Sequence, residues 1–359
     1  MMTAPRGWPA MMRDDEVVPL ESQLDWQERY CRAAGSPTSA EILRAVIDDL
    51  DGPRALASVL PTHTRFGDLI GLRIMAAVHL LAIERLAPSV AIFAPTLGGV
   101  APSRGTNPDR ATSEFHEAVV EAITVNAEMV ATAITEVPQT NEVGRSRLLR
   151  IALSMIGGDV RLFEFGASAG LNLRADHLPG EPTLESGPMP RVIERRGCDL
   201  NPIDPTTTPG RARLTSYVWM DDIDRFERLR GALRVAAEIP ASVVTQDAAG
   251  FVSGLELNAG STTVLWHSSM WGYLPESTRA RIHEGIERLG GAASSESPLW
   301  HVAWEPIADD RDRHELTVQV WNGTPGSGVA RTLATGTTHG GQITLTGGDS
   351  DPGGRQASE

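Results

Sequence analysis

The chain has 359 residues, 41% of them hydrophobic, which suits two domains with ordinary buried cores and excludes a chain disordered throughout. Its formal net charge of -14 argues against a nucleic-acid partner, because phosphate binding needs clustered basic side chains. All 32 basic residues are Arg. Without any Lys, Schiff-base lysine chemistry is excluded, as are the lysines that hold ATP phosphates in P-loop enzymes and protein kinases.

Two cysteines, Cys31 and Cys198, cannot build a disulfide framework or a four-thiolate zinc site. The nine histidines are scattered without a His-Glu-x-x-His pattern, so no metal site is expected. No signal-peptide core opens the chain, and no stretch approaches the roughly 20 apolar residues of a membrane helix. The expectation is a cytoplasmic protein with a small-molecule substrate and neither a membrane nor a nucleic-acid partner; its oligomeric state stays open.

Residues 1–20 read as a flexible N-terminus, and 21–156 as an all-α domain or lid. Within it, Glu21–Ala34 is amphipathic and ends at Gly35. Thr38-Ser39-Ala40-Glu41 reads as a capping box for a helix running to Leu50. Phe66–Leu86 is apolar nearly all round, the mark of a buried helix. Pro95–Arg110 reads as an exposed loop, Thr112–Val137 as one long helix with His116 alone near the surface, and Val143–Ile156 as another helix.

From 157 to 346 the pattern changes to an α/β domain. Apolar runs at Val160–Phe165, Val192–Leu200, Ser242–Gln246, Thr262–His267 and Leu299–Glu305 read as strands. They alternate with helical segments at Ala169–Arg174, Asp221–Ala237, Ala248–Leu257 and Glu276–Leu289. Such alternation implies a doubly wound, mostly parallel, Rossmann-like sheet. Leu316–Trp321 and Arg331–Thr335 follow, with a turn-rich linker between them, and suit a C-terminal antiparallel hairpin of the methyltransferase kind. Leu178–Pro190 looks like an inserted loop, and 347–359 like a disordered tail.

The chemistry concentrates in Glu164-Phe-Gly-Ala-Ser-Ala-Gly-Leu-Asn172. A strand ends at Glu164, turns through Gly166 and Gly170, and enters a helix whose free amides would face an anion. The segment resembles the acidic Gly-x-Gly-x-Gly loop of class I methyltransferases, with Ser168 in place of the middle Gly. Asp199 ends the next strand, where a carboxylate can accept ribose hydroxyls, and Asp247 ends the third, facing adenine. Both acids could equally be helix caps. His267 ends the fourth strand and is the candidate for base or substrate contact, or is bonded to backbone. Trp266, Trp271 and Tyr273 would line a pocket or pack. Gly166-Ala-Ser168-Ala-Gly170 also satisfies the nucleophile elbow of α/β-hydrolases, with Asp247 and His267 or His301 following in chain order. The oxyanion His-Gly-Gly run, however, lies far downstream at His339.

Gln139–Arg145, Glu164–Asn172, Arg195–Thr207, Ser216–Trp219 and Trp266–Pro275 together resemble the domain-of-unknown-function family 2332, over about Asp25 to Gly341. The resemblance implies a methyltransferase-like fold and an actinobacterial source, and brings no known substrate. Gln139–Arg145 lies just before the helix leading into the first sheet strand, which would place it near the cofactor's methionyl end, with Asn141, Glu142 and Arg145 as pocket residues. Alternatively, Thr140 caps a helix and Arg145 pairs with an acid.

The function expected is an S-adenosylmethionine-dependent methyltransferase. Glu164, Gly166, Ser168, Gly170 and Asn172 would hold the methionyl part, Asp199 the ribose and Asp247 the adenine, while the helical domain covers the substrate. The alternatives are a serine hydrolase using Ser168 and a non-catalytic sensor or scaffold of the same fold.

Overall fold

The computed structural model describes residues 16–179, 189–307, 310–340 and 342–346. The expected tail at 347–359, most of the loop expected at Leu178–Pro190, and residues 1–15 of the expected N-terminal arm lie outside the described residues. By internal contacts the chain divides into two compact units: 1–143 with 203–240, and 144–202 with 241–359.

Among its described residues the first unit is helical apart from one short ladder. Val17–Pro19 (β1) pairs antiparallel with His63–Arg65 (β2), so a strand pair sits where only helices were expected. The helices are α1 (Leu20–Ala33), α2 (Pro37–Asp51), α3 (Ile70–Ile83), α4 (Pro88–Ala91), α5 (Pro108–Val125) and α6 (Ala127–Ala133). After α7 (Ser146–Leu153), which belongs to the second unit, the first unit resumes with α8 (Thr208–Ser216) and α9 (Ile223–Glu238). One apolar cluster joins α1 to α6, including Leu24, Leu43, Ile74, Val78, Phe115 and Val119. Phe66–Ile83 is the one stretch among the described residues long and apolar enough to cross a membrane; 61% of it is buried inside the structure, as the helix-all-round pattern predicts.

Several local expectations are corrected here. The long helix over Thr112–Val137 is broken at Asn126, whose φ is -110° and whose side-chain amide donates to the Ala122 carbonyl. Asn competes for nearby backbone groups and so favours a helix end. Pro95–Arg110 is not one open loop, because Pro95–Leu97 and Pro102–Arg104 are 3₁₀ turns, Thr96 and Pro102 are buried, and α5 begins at Pro108 on an Asn107 cap. The capping box at Thr38 does not form. α2 starts one residue before it, at Pro37, and its cap is remote: Asp221 accepts from the Thr38 amide at 2.7 Å and from the hydroxyls of Ser36 and Ser39. His116 is not alone either, since its Nε2 lies 2.7 Å from Glu41 Oε2 on α2.

The second unit is built on an eight-stranded sheet. Its strands are β3 (Asp159–Phe165), β4 (Arg191–Asp199), β5 (Ser242–Thr245), β6 (Ser261–Ser268), β7 (Leu299–Ile307), β8 (Asp310–Trp321), β9 (Arg331–Thr337) and β10 (Thr344–Leu345). They lie in the order β10-β9-β8-β7-β6-β3-β4-β5. The five from β5 to β7 are parallel, and the last three add antiparallel neighbours in chain order. The protein is therefore mixed α/β with a mostly parallel central sheet. Helix α7 packs on one face through Leu148, Leu149 and Ala152, against Val160, Leu162, Val264 and Trp304. On the other face, α10 (Ala248–Ser253) and α11 (Glu276–Ala292) pack through Phe251, Val252, Ile282 and Ile286 against Phe163, Phe165 and Leu265. Being covered on both sides explains the near-continuous apolar runs of β3 and β6. The helix expected over Ala169–Arg174 is instead a turn followed by a 3₁₀ stretch at Asn172–His177.

The remote cap yields a test. Asp221→Ala removes the acceptor for the Thr38 amide and two hydroxyls, and should lower stability in urea unfolding by roughly 1–2 kcal/mol. An unchanged midpoint would contradict this role for Asp221.

Candidate functional site

Chain order along the parallel strands reverses between β3 and β6. Strands leave that point in opposite directions, so their carboxyl ends open a crevice there, the usual ligand site of open α/β sheets. Glu164 lies at the end of β3 and is paired in register with Trp266 of β6. Side chains alternate along a strand, so Glu164 shares the face of Val160 and Leu162, and Trp266 that of Val264.

Beyond β3 the backbone turns sharply through three left-handed residues: Gly166 (φ 68°), Ser168 (φ 52°) and Gly170 (φ 63°). Gly170 has no room for a Cβ, which would meet Val243 at 2.8 Å. A Cβ on Gly166 would lie 3.2 Å from the Met270 side chain, so Met270 is the wall of this turn. Ser168 bears a Cβ and pays conformational strain, a cost found at sites the surrounding structure holds in place. Asp199, at the end of β4, does that holding. Its Oδ2 accepts the Ser168 amide at 2.8 Å, and its Oδ1 the Asn201 amide at 2.9 Å.

The turn closes over a set of buried polar atoms. Glu164 Oε2, Ser168 Oγ, Asn172 Oδ1 and Trp266 Nε1 are all buried without a geometrically sound hydrogen bond. Glu164 is 2% exposed. Burial pushes its carboxyl up to about 8, and the nearby side chains of Asn172 and Trp266 offset this only in part. Arg174, 3% exposed, donates to the Gly170 carbonyl at 2.7 Å and brings a positive charge to the same corner. Cys198 beside the turn is inert as a nucleophile, because burial pushes its thiol up to about 12.

His267 lies on the opposite face, stacked on Phe165 with ring centroids 4.8 Å apart. Both its ring nitrogens are engaged: Nδ1 lies 2.8 Å from Glu305 Oε1, and Nε2 lies 3.1 Å from His301 Nε2. It therefore does not join Glu164 in one cluster, and no ring nitrogen is left to act as a base. Its partners are side chains rather than the backbone. Asp247 is exposed and caps α10 by accepting the Gly250 amide at 3.0 Å. Arg145, 8% exposed, donates to the carbonyls of Thr338 and Ser268. In the first unit, Glu142 pairs with Arg225 at 2.6 Å, while Asn141 has φ 21° and lies in an irregular stretch with no capping by Thr140.

Sequence reading missed Trp266 as a polar group, Glu305, and a second histidine pair, Ser269 Oγ and His314 Nε2 at 3.1 Å. Period-two alternation from Glu164 and its register partner would have found Trp266. Glu305 and His314 come together only through the β7–β8 hairpin. Among the described residues, no group of three or more His, Cys, Asp and Glu is placed to hold a metal ion.

A family model described as "Uncharacterized protein conserved in bacteria (DUF2332)" matches residues 21–344. The chain belongs to this family. No curated protein matches it.

In this DUF2332 chain, four buried groups contribute to the pH dependence of stability. Burial holds the imidazoles of His79 and His314 down to about 4 and that of His301 to about 3. Their contribution is present above the ordinary value of 6.5 and is lost as pH falls through 4 and 3. Glu164 works in the opposite sense: its contribution is full below 4.5 and is lost as pH rises through about 8. Stability from these groups should therefore peak at about pH 6.5, the ordinary histidine value, when urea midpoints are measured against pH. In Glu164→Gln the fall on the alkaline side should flatten; a fall equal to that of the wild type would contradict the assignment.

Proposed function

We propose that the second unit is a class I methyltransferase-like domain that binds S-adenosylmethionine at the β3–β6 switch point and methylates a small molecule. One observation carries the reading: the buried carboxyl of Glu164, whose Oε2 makes no hydrogen bond of good geometry, lies beside the glycine turn at that point. Buried polar atoms are normally well paired, and a buried carboxyl whose charged form is this poorly supported favours a cationic donor. The ammonium of an amino-acid moiety supplies one. The strand order from β5 to β7 supports the same reading, because it reproduces the 3-2-1-4-5 order of doubly wound nucleotide-binding sheets.

In this reading Glu164 and Asn172 accept from the ammonium, and Ser168 Oγ offers a further contact. Asp199 retains lone pairs beyond those taken by the amides of Ser168 and Asn201, and these face the ribose hydroxyls. Asp247 lies at the adenine end of the strand edge. The cofactor brings an electrophilic methyl on a sulfonium. Transfer then asks mainly for alignment of nucleophile and methyl, which a site without a free histidine can supply. The hydrolase reading loses its footing, because Ser168 Oγ is buried with no histidine bonded to it.

Calorimetric titration with S-adenosylhomocysteine tests the reading. Below pH 8 the Glu164 carboxyl is protonated in the free protein, so binding an ammonium releases its proton. Affinity should rise about tenfold per pH unit up to that value, and heats should differ between buffers of different ionisation enthalpy. Glu164→Gln should abolish the proton release, and Asp199→Ala should weaken binding. No heat at high protein concentration would remove the proposal.

A further inference from the structure

Four residues on the α10–α11 side of the sheet form one continuous hydrogen-bonded chain, and its direction can be worked out atom by atom. At its far end, the Gln319 amide nitrogen donates to the Gly328 carbonyl at 3.0 Å. A carbonyl only accepts, so the Gln319 oxygen must point the other way. That oxygen lies 3.1 Å from His301 Nδ1, which therefore carries a proton and donates. His301 is buried, and burial beside His267 pushes it down to about 3, so it is neutral and its Nε2 is bare. The bare Nε2 lies 3.1 Å from His267 Nε2, which must then be the donor. The last link is His267 Nδ1 to Glu305 Oε1 at 2.8 Å. Glu305 also accepts two backbone amides, Met270 at Oε1 and Trp271 at Oε2, each at 3.2 Å. Such a set of donors suits a carboxylate, which leaves the shared proton on Nδ1.

We infer that His267 carries protons on both ring nitrogens and, paired with the Glu305 carboxylate, positions the Met270–Trp271 turn against Gly166. The surroundings fit a cation. Phe165 lies on the His267 ring at 4.8 Å and Trp271 at 5.1 Å, both stacked, so their π-faces flank the charge. His301 Nε2 and Glu305 Oε1 meet its two ring nitrogens, with the His301 ring centroid 5.2 Å away, and His283 of α11 touches Trp271 edge-on. The same carboxylate then fixes the two amides that follow Ser269, itself held at φ 48°. Met270 is delivered to the wall of the Gly166 turn. His267 is thus a positioning residue, and its charge is the reason it does not serve as a base. That the turn it braces receives a cofactor rests on the function proposed above; the protonation pattern and the bracing do not.

Histidine side-chain ¹⁵N spectra of the full chain near neutral pH test the inference, with resonances assigned by their loss in His267→Gln and His301→Gln. His267 should show two protonated nitrogens, and His301 a protonated Nδ1 with a bare Nε2. A singly protonated His267 would overturn the inference. Hydrogen exchange tests the bracing. In Glu305→Gln the amides of Met270 and Trp271 should exchange at least about tenfold faster, as expected for loss of a bond to a charged acceptor. Protection of Val160–Phe165 should persist, and unchanged exchange at Met270 and Trp271 would overturn the bracing. Should that variant fail to fold, the wild-type spectra still decide. Neither readout involves the cofactor, so failure here and failure of the methyltransferase reading are separable.

Discussion

The second unit depends on a single charged bond at the edge of its sheet, from the Ser168 amide to the Asp199 carboxylate. Three left-handed residues in five would not hold by local preference alone, and one of them carries a side chain. A hydrogen bond to a charged acceptor contributes roughly 1.5–3 kcal/mol, enough to offset the strain at Ser168. Because β3 and β4 are paired in register up to Phe165 and Cys198, the carboxylate arrives exactly one strand away from the turn it holds. The turn in turn closes over Glu164, Asn172 and Trp266 and leaves their polar atoms without hydrogen bonds of good geometry.

Two polar systems therefore occupy the carboxyl edge of the sheet, one on each face. On the α7 face the atoms are buried and poorly paired, and burial raises the carboxyl of Glu164 to about 8. On the α10–α11 face every link from Glu305 to Gly328 is made. The contrast assigns the roles. A fully satisfied network rigidifies its elements, whereas an unsatisfied one costs stability that a ligand can return. Met270 links the two, since its amide belongs to the satisfied system and its side chain walls the other.

Much of this architecture was legible in the amino-acid sequence. The five parallel strands follow from apolar runs bounded by turn residues, and Glu164, Gly166, Gly170 and Asp199 stand out as strand-end acids and turn glycines. What was not legible depended on distant partners. Asp221 caps α2 from more than 180 positions away, so a local Thr-x-x-Glu pattern misled. Ile203–Pro240 interrupts the order of β4 and β5 yet groups with residues 1–143, and hydrophobic periodicity says nothing about which core a helix joins. His267 looked like an unclaimed base because Glu305 and His301 are separated from it by 38 and 34 residues. The segment after Gly170 has helical spacing, but its burial and the Gly170–Val243 contact select a tight 3₁₀ turn.

The central claim is that Glu164 is a buried neutral acid awaiting a cationic group, and infrared spectroscopy reads that state directly. The measurement is the wild-type minus Glu164→Gln difference spectrum at about pH 6, between the ordinary 4.5 and the raised value of about 8, with and without saturating S-adenosylhomocysteine. The account predicts a protonated-carboxyl band in the free protein that gives way to a carboxylate band when the ligand is added. A Glu164 already ionised when free, or a protonated band untouched by the ligand, would contradict it.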